Sequence, residues 1–312
     1  MIRPMPNGIL LIDKPAGLRS TECVARVKRL ACKKDKNIRV GHAGTLDSTA
    51  SGLLVVLLGA ATRLSDYVMK LPKVYEAAVR LGVSTDTCDA SGSVVFRADA
   101  SEVEEAAFDR VLCSFWGTRM QRPPEISALK VDGKPSHRIA REGRPSNLSS
   151  RPVVVTSVKR CSPISDGAVK ISVACGKGAY IRALARDIGG ALGCGAHVEA
   201  LRRLSIGPFG VNEAQAPESL ADITGITKNL RSSREVGSAF HRVALTEDAE
   251  RRLLHGLCVP LTEAGRYVPG GAELMHGLCV EGCNMMGFAV LGEGIDGTLL
   301  LKPRVNVACD VK

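Results

Sequence analysis

The run LLVVLL, from Leu53 to Leu58, constrains this chain more than any other stretch. Six unbroken apolar residues leave no solvent face, so they call for a strand covered on both sides, within a layered sheet. The segment before it, GHAGTLDSTASG at 41–52, is small and glycine-bearing, and its only carboxylate is Asp47. By spacing alone such an aspartate is a turn former or a helix cap. At the edge of a buried sheet, however, a carboxylate needs a partner, and an arginine from elsewhere in the chain is the natural one.

The rest of the chain suits a layered globular fold. Its 312 residues are 45% hydrophobic, enough for one large or two moderate domains. No segment approaches the ~20 apolar residues that span a bilayer, so the expectation is a soluble cytoplasmic protein. Eleven cysteines lie scattered, with Cys279 and Cys283 four apart and no CxxC. They read as small hydrophobes rather than as a disulfide framework or a zinc site. His42, His137, His197, His241, His255 and His276 form no metal-spaced set, and there is no phosphate loop and no GxSxG elbow. The glycines of GCGAHV at 193–198 follow a helical pattern and read as its end rather than as a dinucleotide loop. No cofactor and no metal are expected.

Charge points to a polyanion. The formal net charge is +10, and residues 119–160 carry ten basic side chains against three acidic ones, with five prolines. That composition suits an exposed basic insertion. A second cluster, Arg26, Lys28, Arg29, Lys33, Lys34 and Lys36, follows Ser20, a good N-cap, on a predicted helix. A solvated face is the usual fate of such runs; two of them in a basic chain favour nucleic acid.

Periodicity predicts an α+β fold with much antiparallel pairing. GILLID reads as a short buried strand. Tyr75, Ala77, Val79 and Leu81 alternate with polar or small residues, as in a half-buried strand. VVVTSVKR and VKISVAC read as two more, joined at Asp166–Gly167. Ile181, Leu184, Ala185, Ile188 and Leu192 form a helical stripe. Residues 213–243 read as a loosely helical connector, LTEDAERRLLHG as a helix ended by glycine, and the remainder as a small all-β module.

Residues 41–64, GHAGTLDSTASGLLVVLLGAATRL, closely resemble the motif of the TruB family of tRNA pseudouridine synthases, approximately GHTGTLDPxATGxLxxxxGxATK. Further likenesses follow in order: GILLIDKPAGLRST with Asp13, Lys14 and Pro15; KVYEAAVRLGVSTDTCDASG; SALKVDGK; GKGAYIRALARDIG; and GCGAHVEALRRL. Together they cover most of residues 8–207.

The resemblance implies a pseudouridine-synthase fold: a mixed, largely antiparallel central sheet flanked by helices. It implies a catalytic domain over 1–243, a thumb-like RNA-clamping insertion at about 119–152, and a PUA-like RNA-binding domain at 244–312. The implied activity is isomerisation of uridine to pseudouridine at position 55 in the T-loop of tRNA, after base flipping. Asp47 would be the nucleophile and Arg182 its partner, while Tyr75 would stack on the uracil. His42 would wedge into the RNA stack, Tyr180 and Leu201 would line the pocket, and Arg63, Asp89 and Lys130 would bind substrate. The implied partner is the T-stem and T-loop of tRNA, met by a monomer with no obligatory protein partner and no membrane.

The chain departs from the family pattern at four places: Ala43 for threonine, Ser48 for proline, and Ile126 and His137 where tyrosines are common. The alternative is an RNA-binding or remodelling protein of the same fold with little catalytic activity. Retention of Asp47, Arg182 and Tyr75 argues against it.

Overall fold

The computed structural model describes residues 7–127, 130–131, 134–135, 148–270 and 277–308. They fall into two compact units, residues 1–71 with 205–312, and residues 72–204.

In the first unit the apolar run lies in the strand Ser51–Leu58, which is buried from Gly52 to Leu58. Gly8–Lys14 pairs along one edge, in register from Gly8↔Leu58 to Lys14↔Gly52, and Val40–His42 pairs with its last three residues, from Val40↔Leu58 to His42↔Val56. Alternate side chains serve two cores. Leu53, Val55 and Leu57 join Ile9, Leu11, Phe240, Met286 and Phe288, while Leu54, Val56 and Leu58 join Leu10, Ile12 and the helix residues Cys23 and Val27. The expectation of a strand covered on both faces is met.

The connector is more ordered than its composition suggests. It forms the helices Ile223–Lys228 and Arg234–Gly237, and its backbone bonds along Gly8–Lys14, Ile9 exchanging with Arg231 and Gln215 bridging Leu11 and Asp13. A strand edge with unpaired amides attracts such cover, and periodicity does not register it.

Beyond it lies a six-stranded sheet that includes Arg242–Leu245, Leu278–Glu281, Met285–Glu293 and Leu299–Ala308. The predicted helix is present as Glu247–Leu254, capped by the Thr246 hydroxyl and followed by Gly256 at φ 80°. It packs Ala249 and Leu253 against the sheet, so the C-terminal module, consistent with a PUA-like domain, is not purely β. Its Phe288 ring stacks on Tyr67 at 3.6 Å.

The second unit is an antiparallel sheet built on the strand Lys73–Leu81. Ala168–Cys175 pairs with it, then Arg151–Arg160, then Gly117–Gln121 at the edge. Tyr75, Ala77, Val79 and Leu81 are buried as their alternation predicts. Asp166 and Gly167 have φ of 48° and 71°, the left-handed pair a two-residue hairpin turn requires. The helix Ile181–Ala191 buries Ile181, Leu184, Ala185 and Ile188. Gly193 and Gly195 follow it at φ 76° and 70°, so these glycines end a helix as expected. Part of the basic insertion, His137 included, lies outside the described residues. Lys130 belongs to a two-residue strand paired with Lys134–Pro135. No helix among the described residues is long and apolar enough to cross a membrane.

Candidate active site

Asp47 sits half-buried in the loop between Val40–His42 and Ser51–Leu58, turned by Gly44 and Gly52 at φ 99° and 103°. The loop is fastened from outside. The Ser20 hydroxyl donates to the Leu46 carbonyl at 2.7 Å and accepts the Leu46 amide at 2.9 Å. The Gly17 amide donates to the Ser48 carbonyl at 2.7 Å. The Lys14 ammonium, fully buried, donates to the carbonyls of Pro15 at 2.9 Å, Leu18 at 2.7 Å and Ser48 at 3.4 Å. The residues on either side of Asp47 are thus both held, which fixes a carboxylate better than loop rigidity alone.

These bonds correct one expectation. Ser20 does not cap its helix. The cap position of Ser20–Ala31 is Arg19, whose amide bonds the Glu22 carboxylate at 2.8 Å, because the Ser20 hydroxyl is spent on Leu46. Ser48 lacks the fixed φ of proline, but its carbonyl accepts from Gly17 and Lys14 and pins the backbone at that place. Ala43 is fully buried, its amide donating to Val55 at 3.0 Å. In the basic helix, Arg26 is spent on the Glu218 and Leu220 carbonyls, while Lys28 and Arg29 are exposed.

Replacing Lys14 with Met keeps the stem but strands carbonyls that met a buried ammonium. A loss of about 3 kcal/mol is expected, read as a lower midpoint of denaturant unfolding. An unchanged midpoint would show that the ammonium does not hold the loop.

Within the second unit, Arg182 occupies the first turn of its helix and is 5% exposed. It donates to the Thr87 carbonyl at 2.9 Å and the Ile126 carbonyl at 3.1 Å, and its guanidinium lies 3.8 Å from the Asp89 carboxylate. Only the backbone of Ile126 is used in this bond, which a tyrosine there would supply equally. Asp89, itself 6% exposed, is the hub of the TDTCDASG loop. One oxygen accepts the Thr87 hydroxyl at 2.7 Å, the Ser91 amide at 3.0 Å and the Ser91 hydroxyl at 2.5 Å. The other oxygen faces Arg182. Asp89 is therefore one of the groups that surround the Arg182 guanidinium. Cys88 takes a left-handed φ of 59° in this turn, and burial pushes its thiol pKa up.

Tyr180 caps the same helix and exchanges two bonds with Gln121. Its amide donates to the carboxamide oxygen at 2.9 Å, and its carbonyl accepts from the carboxamide nitrogen at 3.1 Å. Arg151 lies over its ring at 5.4 Å. Tyr75 is buried opposite Val173, and Leu201 is half-buried in Ala196–Ile206. Two residues before Tyr75 on the same strand face, Lys73 pairs across the strands with Cys175. Burial first, and then the charge of Arg203, lowers the Lys73 pKa to about 8, and burial raises that of Cys175 to about 11.

His42 ends its strand, half-buried, near the Asp47 loop, whereas Arg63 lies past the far end of Ser51–Leu58 and donates to the Asn306 carbonyl at 2.7 Å. Sequence reasoning missed the part played by Ser20 on the loop, by Thr87 and by Gln121. Only Thr87 had a local signal, the density of turn residues around it.

The mixed sheet flanked by helices is a pseudouridine-synthase fold. The chain superposes on a crystal structure of a Cbf5–Nop10–Gar1 complex with a TM-score of 0.71 at 24% identity, covering 99% of this chain and 85% of that one. A structure of an H/ACA RNP bound to a substrate RNA gives 0.68 at 22%, covering 98% and 84%. A family model described as "TruB family pseudouridylate synthase (N terminal domain)" matches residues 28–181, and "tRNA pseudouridylate synthase B C-terminal domain" matches 182–249. Proteins named tRNA pseudouridine synthase B are similar over most of their length. That of Thermobifida fusca is 43% identical over 81% of this chain and 86% of its own, and that of Burkholderia mallei 41% over 88% and 89%. The chain belongs to the TruB family, a family of isomerases.

Proposed function

We propose that this chain isomerises the uridine at position 55 in the T-loop of tRNA to pseudouridine, with Asp47 as nucleophile. The observation that carries the reading is the fastening of the Asp47 loop by Ser20, Gly17 and Lys14, since a turn-forming aspartate needs no such support. Family membership and relatives named for tRNA support the substrate class.

The reaction is neutral in composition. The bond from sugar C1′ to uracil N1 breaks, the base rotates, and C1′ bonds to C5. The C5 hydrogen leaves as a proton and N1 takes one up. Asp47 acts either by adding to C6 of the base or by taking C1′ as the base departs. Arg182 supplies the positive charge that partners the nucleophile, and Tyr75 stacks on the uracil and moves a proton from the sugar.

A base inside a folded loop is out of reach of a fixed acid, so the target is flipped out. His42 fills the space it leaves in the stack, while Tyr180 and Leu201 line the pocket. Arg63, Lys130 and the rest of the basic insertion hold phosphates, so binding weakens steeply with salt. The module from residue 244 adds contacts to the same RNA. The enzyme works as a monomer in the cytoplasm.

Nucleoside analysis of tRNA incubated with the protein tests the reaction. One pseudouridine gained and one uridine lost per tRNA is expected. Binding without product would establish the binding-protein reading instead.

A further inference from the structure

The first unit carries a cavity at the end of Ser51–Leu58 remote from Asp47. It lies between the loop Asp35–Arg39, which leads into Val40–His42, and the turn Gly59–Arg63, and its volume is about 310 Å³. That size is at the low end of the ~300–1,000 Å³ of small-ligand sites. The eight residues of the strand separate it from the Asp47 loop by about 26 Å at ~3.3 Å per residue.

The walls combine three kinds of chemistry. Arg39 and Arg63 are exposed guanidiniums, the groups best suited to a phosphate. Arg63 is steadied by its bond to the Asn306 carbonyl, which uses one of its five N–H donors. Asn7, Asn37 and the Asp35 carboxylate offer donors and acceptors of the kind that meet base edges and a ribose hydroxyl. Ile38, 6% exposed, gives an apolar wall.

The cavity is also built rather than incidental. The Asn7 side-chain oxygen accepts the Ala60 amide at 2.7 Å. This requires glycine at 59, where φ is 61° and a Cβ would stand 2.1 Å from that oxygen. The Arg39 carbonyl accepts the Gly59 amide at 2.8 Å and closes the two walls together.

We propose that this cavity takes one unpaired nucleotide of the substrate RNA, lying outside the stem-loop that carries the target uridine. The proposal rests on the RNA-modifying function above. Phosphate, ribose hydroxyl and base edge together are what the walls match. About 26 Å corresponds to roughly seven or eight stacked nucleotides at ~3.4 Å each, too far for the flipped base or its neighbours. A site this small grips weakly by itself and gains its effect as a second contact on a long ligand.

The test is the affinity of the whole protein for full-length tRNA and for the isolated T stem-loop, with Arg39→Ala, Asn37→Ala and Gly59→Ala, alongside kcat and KM. Each variant is expected to raise Kd and KM for full-length tRNA about 5–10-fold, with affinity for the stem-loop and kcat on both RNAs unchanged. Equal losses on both RNAs, or no loss on either, would overturn the proposal. Titration with adenosine monophosphate separates the other source of the same chemistry. Tight mononucleotide binding lost in the variants, with tRNA affinity untouched, would assign the cavity to a free nucleotide and also overturn it. The affinity readout needs no turnover, so an inactive wild-type protein that still binds full-length tRNA through Arg39 would refute the proposed reaction and leave this inference standing.

Discussion

Asp47→Asn is expected to lower the rate of pseudouridine formation by at least about 10⁴-fold, the scale on which removal of a covalent nucleophile acts. Asparagine keeps the shape, so the supports on Leu46 and Ser48, which involve backbone atoms of those two residues, stay in place. Folding stability should therefore be unchanged, and Kd for tRNA should hold within about twofold, because phosphates dominate that affinity. Activity within tenfold of the native level would remove Asp47 from the chemistry. A lost rate accompanied by lost tRNA binding would make it a binding residue instead.

The second large effect is expected at Arg182. Its guanidinium is 5% exposed and meets two carbonyls and the Asp89 carboxylate. Arg182→Ala leaves that carboxylate buried without its cation, at a cost of about 3–5 kcal/mol, and removes the charge assigned to the nucleophile. We expect kcat to fall by about 10³-fold or more, together with a fall of several degrees in melting temperature. Asp89→Asn separates the two causes. It keeps the loop's shape and the cation, so a fall in kcat without a rise in KM would show that Asp89 works through the aim of Arg182. If Asp89→Asn left kcat unchanged, the pair would be structural only.

Much of this fold was legible because its signals are local. The apolar run from Leu53 to Leu58 required cover on both faces and has it in two cores. The alternation around Tyr75, the turn at Asp166–Gly167 and the stripe from Ile181 to Ile188 depend on neighbours a few residues apart. Asp47 and Arg182 were visible through family motifs, not through spacing, which made Asp47 an ordinary turn former.

What stayed hidden acts over long separations. Ser20 reads as a cap, but its hydroxyl serves a residue 26 positions away. Arg63 meets a carbonyl 243 positions on. The first compact unit joins residues 1–71 to 205–312, and no composition shift announces that pairing. The resemblance alone places Asp89 among the substrate contacts, and no local pattern shows the bonds it makes. Its burial and its bonds to Thr87, Ser91 and Arg182 show what holds it.

The most direct test of the account is tritium release from two tRNAs transcribed with [5-³H]uridine, identical except that one carries cytidine at position 55. Bond formation at C5 expels the label, so release reports the isomerisation itself. One equivalent of tritium from the uridine-55 tRNA and none from its cytidine-55 counterpart is the predicted result. Equal release from both would contradict the assigned position, and no release from either, with both bound, would contradict the reaction.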